Sequence, residues 1–267
     1  MQQRHLDREL YFKEQSYTTK KYVIPYIESI KPIDESMRIL EIGCGEGGNM
    51  KPFLDMGCTV VGVDIHTKGI QLAENFYSNH PFKKNLTLIN NDIFDVKEDM
   101  KAFDIIILRD VLEHIHNQEA FLNYAKSFLK NDGLFFIAFP PWQNPFGGHQ
   151  QVLSSKILSH LPYFHILPKP ILTLLLKIFG ESKSIQGMLE LVDTGISIER
   201  YKKIIRTEKY RILKQTYWFI NPNYEIKFNL KPREQLKILS SIPYFRNYVT
   251  TAYYSVISKS MTTTGIL

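Results

Sequence analysis

The residues best equipped for chemistry lie in Glu41-Ile42-Gly43-Cys44-Gly45-Glu46-Gly47-Gly48. Glycines spaced as Gly43-x-Gly45-x-x-Gly48 let a backbone turn approach a ligand closely. Where such a turn joins a strand to a helix, its amides receive a nucleotide-like cofactor. Asp64 follows at the distance, about twenty residues, where a ribose diol is held, and Asp92 closes a further apolar run. A carboxylate can take two donors from a vicinal diol and one from an exocyclic amine. The glycines by themselves fit two cofactor classes, the second being a dinucleotide.

Regular elements must hold these groups. Residues 37–40, 59–64, 86–92, 103–108 and 133–139 read as buried strands, and residues 49–56, 68–78 and 118–129 as helices, the last ending at Asn131-Asp132-Gly133. This alternation predicts a parallel sheet covered on both faces. A lead-in helix is expected over 10–30, with Phe12, Tyr22, Val23, Tyr26 and Ile27 inward. Beyond the core, 198–208 reads as a helix, 210–219 and 249–258 as strands, and 231–242 as a further helix.

The ordered set Glu41-x-Gly43-x-Gly45-x-Gly47, Asp64, Asp92-Ile93 and Asp110-Val111-Leu112-Glu113-His114-Ile115 resembles the class I S-adenosylmethionine-dependent methyltransferases, in the branch that acts on small molecules, including quinone precursors. The resemblance covers residues 35–140. It implies an α/β fold, a Rossmann-like doubly wound seven-stranded sheet with an antiparallel last strand, here with a helical cap insertion. It also implies S-adenosylmethionine as cofactor and methyl transfer to a small-molecule acceptor, with oxygen the favoured site. By the same resemblance Gly43, Cys44, Gly45 and Gly47 pass beside the methionine part, Asp64 and Ile65 meet the ribose side, and Asp92 and Ile93 meet the adenine. Glu41 faces the cofactor's ammonium group or satisfies backbone donors, and Arg109 stands at the methyl end.

Chain organisation follows: a lead-in at 1–34, the cofactor core at 35–140, a substrate cap at 141–195, and the remaining sheet at 196–267 with an insertion at 221–247. The loop after the fifth strand, residues 140–151, carries three prolines and a glycine pair, at the strand ends where open parallel sheets bind ligands. His149 is its candidate general base, since imidazole titrates in a useful range. Arg109 is the candidate clamp for an anionic acceptor. No metal site is expected, because the sequence shows no acid cluster with His or Asn after strand four; Gln143, His149, His160 and His165 would need folding to meet.

Charge is asymmetric: residues 1–150 carry 16 Lys and Arg against 20 Asp and Glu, and residues 151–267 carry 17 against 7. The basic half would suit an anionic acceptor, a membrane surface or RNA, or be a solvated face, and no base-amination tetrad supports nucleic-acid work. The apolar run 171–179 is too short to span a bilayer, which leaves cap packing as the default and an interfacial helix as the alternative. Two cysteines and a charged opening without an apolar leader point to the cytoplasm, with a peripheral membrane position the alternative. The rival functions are an NAD-dependent oxidoreductase and a non-catalytic cofactor-binding or membrane-associated protein. For the former, Tyr210-x-x-x-Lys214 has dehydrogenase spacing but falls in an alternating strand.

Overall fold

The computed structural model describes residues 7–96 and 102–260. Eight strands form one sheet: β1 (Arg38–Ile42), β2 (Thr59–Asp64), β3 (Leu86–Asn90), β4 (Phe103–Arg109), β5 (Leu129–Phe139), β6 (Tyr210–Ile220), β7 (Arg233–Glu234) and β8 (Ala252–Lys259). Their order is β3-β2-β1-β4-β5-β8-β6-β7. The first five pair in parallel, and β8 runs antiparallel between β5 and β6. This is the expected Rossmann-like sheet with its reversed last strand, extended by the two-residue β7 on the edge of β6.

Apolar runs on β1, β4 and β5 explain why the sheet is covered twice. Successive side chains leave a strand on opposite faces. Leu40, Ile106, Leu108, Phe135 and Ile137 join one core cluster, and Ile39, Ile105, Ile107, Leu134 and Phe136 the other. Strands that must satisfy both faces are apolar at nearly every position.

The helices are α1 (Arg8–Thr18), α2 (Ile24–Glu28), α3 (Lys51–Asp55), α4 (Thr67–Phe76), α5 (Gln118–Ala125), α6 (Lys169–Ile178), α7 (Ile185–Thr194), α8 (Ile198–Thr207), α9 (Asn223–Phe228), α10 (Lys237–Ser241) and α11 (Arg246–Val249). α1 and α2 are one path, joined by a π-helical turn at Thr19–Val23, a local widening that recurs at functional sites. α6 and α7 lie in the stretch inserted after β5, which has its own small core of Leu153, Leu158, Phe164, Leu172, Leu176 and Met188.

Two expectations fail. β5 begins at Leu129, so Asn131-Asp132-Gly133 lie inside the strand, where pairing shifts from Phe103 opposite Leu129 to Ile105 opposite Leu134. The irregularity absorbs the residues that read as a turn. Residues 231–242 are not one helix: Pro232 lacks a donor, Arg233–Glu234 pair with β6, and only Lys237–Ser241 is helical. The preceding stretch instead forms α9, which Asn229 closes in the left-handed region at φ 55°.

Candidate active site

β1 and β2 end side by side, and the glycine turn is hung from them. Gly43 and Cys44 donate to the Val63 carbonyl at 2.8 and 3.2 Å, and Gly45 donates to Asp64 Oδ2 at 2.7 Å. Asp64 Oδ1 accepts from the His66 amide at 2.7 Å. Gly43, Gly45 and Gly47 all have positive φ, of 74°, 51° and 83°. A Cβ on Gly43 would lie 2.5 Å from Val111, whereas one on Gly45 would meet nothing within 4 Å. The turn is packed behind and open in front. Ile65 stands 62% exposed next to Asp64. Asp92 is exposed and caps a short 3-10 turn by accepting from the Phe94 amide at 3.0 Å, with Ile93 buried beneath and Phe94 exposed.

Beneath the turn runs a buried polar chain. Asn49 donates to Glu41 Oε1 at 2.7 Å and accepts from Arg109 Nη1 at 2.9 Å and Thr19 Oγ1 at 3.0 Å. Glu41 Oε2 is buried and accepts no hydrogen bond among the described residues. Burial pushes the Glu41 carboxyl up to about 8, against the pull of Asn49 and Arg109. An anionic group reaching Arg109 directly is not what this geometry offers: the guanidinium is 6% exposed and committed to Asn49 and Thr19. Of the two roles open to Arg109, an anion clamp or a pairing with Asp110, the structure places its Nε 3.8 Å from Asp110 Oδ2, and burial turns its other donors onto internal acceptors.

At the ends of β4 and β5 the fold brings His149 to the neighbouring pair Glu113 and His114. Glu113 Oε1 lies 3.9 Å from His149 Nε2 and 4.0 Å from His114 Nε2, and the two imidazole rings meet edge to face at 5.2 Å. Both Glu113 oxygens are buried and accept no hydrogen bond among the described residues. Burial, then the Asp110 charge, hold the Glu113 carboxyl well above the usual carboxylate range. Burial and the nearby His114 depress His149 to about 4, so its imidazole is neutral at physiological pH. His149 adopts φ 54° after Gly147 and Gly148. Cβ atoms on those glycines would lie 2.2 Å from the Trp142 carbonyl and 2.4 Å from His165, so the pair lets this loop fold back on itself.

One ligand atom from each of Glu113, His114 and His149 falls within 4.8 Å of the others. The sequence alone shows no such grouping after strand four; it forms when the loop after β5 brings His149 to Glu113 and His114. Two imidazoles and a carboxylate are donors that divalent ions accept. His160 and His165 stand apart from it, on the carbonyls of Lys156 and Trp142.

The Tyr210–Lys214 spacing is also placed. Tyr210 donates to the Leu122 carbonyl and Lys214 to Ser29 Oγ, so no dehydrogenase pair forms there. Tyr17 and Lys21 touch each other at 2.9 Å, but together with Tyr22 they converge on Glu225 Oε2 of α9. Sequence reading missed Asn49, Thr19 and Glu225. Asn49 follows the glycine turn directly and was within reach; Glu225 is 204 positions from Lys21 and carried no local signal.

A family model described as a methyltransferase domain matches residues 15–165, more than half of the chain. The ubiquinone biosynthesis O-methyltransferase of Pelagibacter ubique is 33% identical over 112 residues, covering 41% of this chain and 44% of that protein. The mitochondrial enzyme of the same name from Rattus norvegicus is 31% identical over 109 residues, covering 40% and 31%. The match thus spans less than half the length of these curated relatives. Among solved structures, the plantazolicin methyltransferase BamL in complex with a triazolic desmethylPZN analog and SAH has a TM-score of 0.57 at 12% identity, over 96% of this chain and 88% of that one. The magnesium protoporphyrin IX methyltransferase of Synechocystis PCC 6803 with bound SAH has a TM-score of 0.53 at 14% identity, over 92% and 84%. At such identities the likeness carries the fold. The family match carries more, since it spans the glycine turn, both later acids and the Glu113–His149 cluster: the chain belongs to the methyltransferase-domain family.

Proposed function

We propose that this protein binds S-adenosylmethionine and transfers its methyl group to an oxygen of a small acceptor. The observation that carries the reading is the pairing, at one end of the sheet, of a glycine cradle flanked by acids with a neutral His149 beside an unpartnered Glu113. The cradle suits the cofactor on three counts: open space in front of Gly45, an orphaned Glu41 Oε2 for an ammonium group, and Asp64 held at the strand end with lone pairs left beyond its two amides. Ile65 and Phe94, both exposed, offer apolar cover for a base.

When bound, the cofactor supplies a methyl carbon made electrophilic by its sulfonium. The chain has to orient the acceptor and take up its hydroxyl proton, and positioning contributes much of the gain. His149 is uncharged and accepts that proton, 3.9 Å from the Glu113 carboxyl. A second reading uses the same three side chains to hold a divalent ion that lowers the hydroxyl's pKa, and is favoured by the two unpartnered oxygens of Glu113. Adding and chelating divalent ions separates the two.

The acceptor itself is read from a cleft of about 510 Å³ between the cap and α9. Phe146, Tyr224 and Phe228 give it flat apolar walls, and Lys156 and His160 a polar edge. Burial, then the Asp110 charge, raise the Tyr224 hydroxyl, which supports a place for the cleft near the end of β4. These walls fit an apolar or aromatic acceptor with an anionic group toward Lys156. Calorimetry with S-adenosylhomocysteine and with NAD tests the reading: micromolar binding of the first and none of the second is expected, and the reverse would refute it. Consumption of S-adenosylmethionine with an aromatic hydroxyl acceptor distinguishes an enzyme from a binding protein.

A further inference from the structure

The outer surface of the cap is apolar where a solvated helix would be charged. On α6, Leu172 and Leu176 are fully buried against the cap core, yet Ile171, Leu174 and Ile178 on the opposite stripe are 49%, 57% and 67% exposed. A helix apolar on both faces is covered on both. A second outcrop stands on α10 and α11, where Leu236, Ile238 and Tyr244 are 69%, 77% and 71% exposed and Ile242 and Phe245 lie between them. Arg246 braces this knob by bonding to Glu199 and to the Ser240 carbonyl.

The two outcrops meet. Tyr163 donates to the Tyr248 carbonyl at 3.0 Å, and these two rings with Leu167 and Pro168 line a shallow apolar hollow of about 360 Å³ at the start of α6. The ground around them is basic: residues 157–183 and 231–248 together hold seven Lys or Arg against two Glu. Lys169 and Arg246 are paired with Asp193 and Glu199, whereas Lys177, Lys183 and Lys237 are exposed and make no ion pair among the described residues.

We infer that this face docks on an anionic lipid surface, with the α6 stripe and the Leu236–Phe245 knob inserted and the free lysines at the headgroups. Charge decides the occupant. A second copy meeting this patch through a two-fold axis would bring basic residues against basic residues, whereas an anionic leaflet complements them, Lys by Lys. Tyrosines at the border suit a boundary between hydrocarbon and water. The face also reaches the acceptor cleft: His160 lines the cleft and Tyr163 the hollow, so an apolar acceptor leaving a leaflet would enter at its lip. The docking itself is independent of methyl transfer and is measured without turnover.

The test is flotation of the full chain with vesicles of equal phosphatidylglycerol and phosphatidylcholine, against phosphatidylcholine alone. Binding to the anionic vesicles is expected, at least tenfold weaker on the neutral ones and falling with added salt. Leu174→Asp with Ile238→Asp should reduce binding at least tenfold, and Lys177→Glu with Lys237→Glu by a similar factor, since each lysine contributes about fivefold. Both pairs are exposed, and unchanged S-adenosylhomocysteine affinity and melting temperature would show that the fold is intact. No binding by the parent chain, or equal binding by both double variants, overturns the inference. So does a concentration-dependent dimer in sedimentation equilibrium that the aspartate variant abolishes, coupled with absence from the vesicle fraction, because the face would then belong to a second copy.

Discussion

The cofactor end of the sheet and the acceptor end satisfy their polar groups in opposite ways. Around β1 to β3 the acids bond to backbone amides, Asp64 to Gly45 and His66 and Asp92 to Phe94, with the buried Glu41 Oε2 the exception. Around the turn after β4 and the loop after β5, buried polar atoms on Glu113, Gln143, Gln150 and His165 make no hydrogen bond among the described residues. Backbone geometry fixes the first site with or without ligand, while the second is assembled by tertiary packing and keeps unspent hydrogen-bonding capacity. Spare capacity of that kind is costly in a core and is expected where an acceptor or ion supplies the missing partner.

The comparison is broken most directly at His149. His149→Gln should slow methyl transfer at least 100-fold while S-adenosylhomocysteine affinity stays within about twofold, and Glu113→Gln should follow it. Equal losses of rate and cofactor affinity would show that the two ends are one site. If divalent ions restore the rate of neither variant but chelation abolishes that of the parent, the ion reading replaces the base. At the opposite end, Asp64→Ala should weaken cofactor binding by roughly 30-fold, the scale of two charge-assisted hydrogen bonds, with little change in acceptor KM. Titration calorimetry of both variants reads the asymmetry in one experiment.

How far the sequence discloses each end follows from the same contrast. Glycine spacing, strand-terminal acids and apolar runs are local patterns, so Gly43, Gly45, Asp64, Asp92 and the parallel order of β1 to β5 are legible as text. The edge of β6 is not: α9 and β7 depend on where Pro222, Asn229 and Pro232 interrupt a stretch whose apolar spacing otherwise reads as helix. The partnership of Glu113 with His149 joins a 3-10 turn after β4 to a left-handed residue after β5, and no period links them. Arg109 shows the limit from the other side. Its position at the end of β4 is evident from the sequence, but its burial onto Asn49 and Thr19 depends on the arrival of the turn between α1 and α2.

Glu41 joins the two regions and gives a pH signature. Its carboxyl lies at about 8 in the folded protein, above the usual 4.5, so the fold holds a proton that the unfolded chain releases. The stabilising effect of that proton is complete below 4.5 and is lost as pH rises through about 8. Glu41→Gln should therefore flatten the fall in melting temperature across this window. A cofactor ammonium meeting the orphaned oxygen would drive the proton off, so binding near pH 7 should release a fraction of one proton, visible as a dependence of the calorimetric enthalpy on the buffer's ionisation heat. Glu41→Gln should remove that dependence. Its persistence would place the ammonium elsewhere.

The smallest effect is expected at Glu225, and it probes whether the ends communicate. Tyr17, Lys21 and Tyr22, on the helical path that lies over the glycine turn, all donate to one Glu225 oxygen on α9, and α9 walls the acceptor cleft through Tyr224 and Phe228. The carboxylate is depressed to about 2 by the Lys21 and Tyr22 hydrogen bonds, but the cluster faces solvent, where such pairs are screened and contribute little to stability. Glu225→Gln keeps an acceptor oxygen and removes the charge; a melting temperature within about 2 °C of the parent is expected from the exposure alone. If α1 and α9 move as one clasp, loosening it should raise cofactor and acceptor KM together by a fewfold, with kcat nearly unchanged, because both walls relax while the Glu113–His149 pair is untouched. A change confined to cofactor KM would mean that α1 closes over the turn without α9, and that the two ends of the sheet are independent.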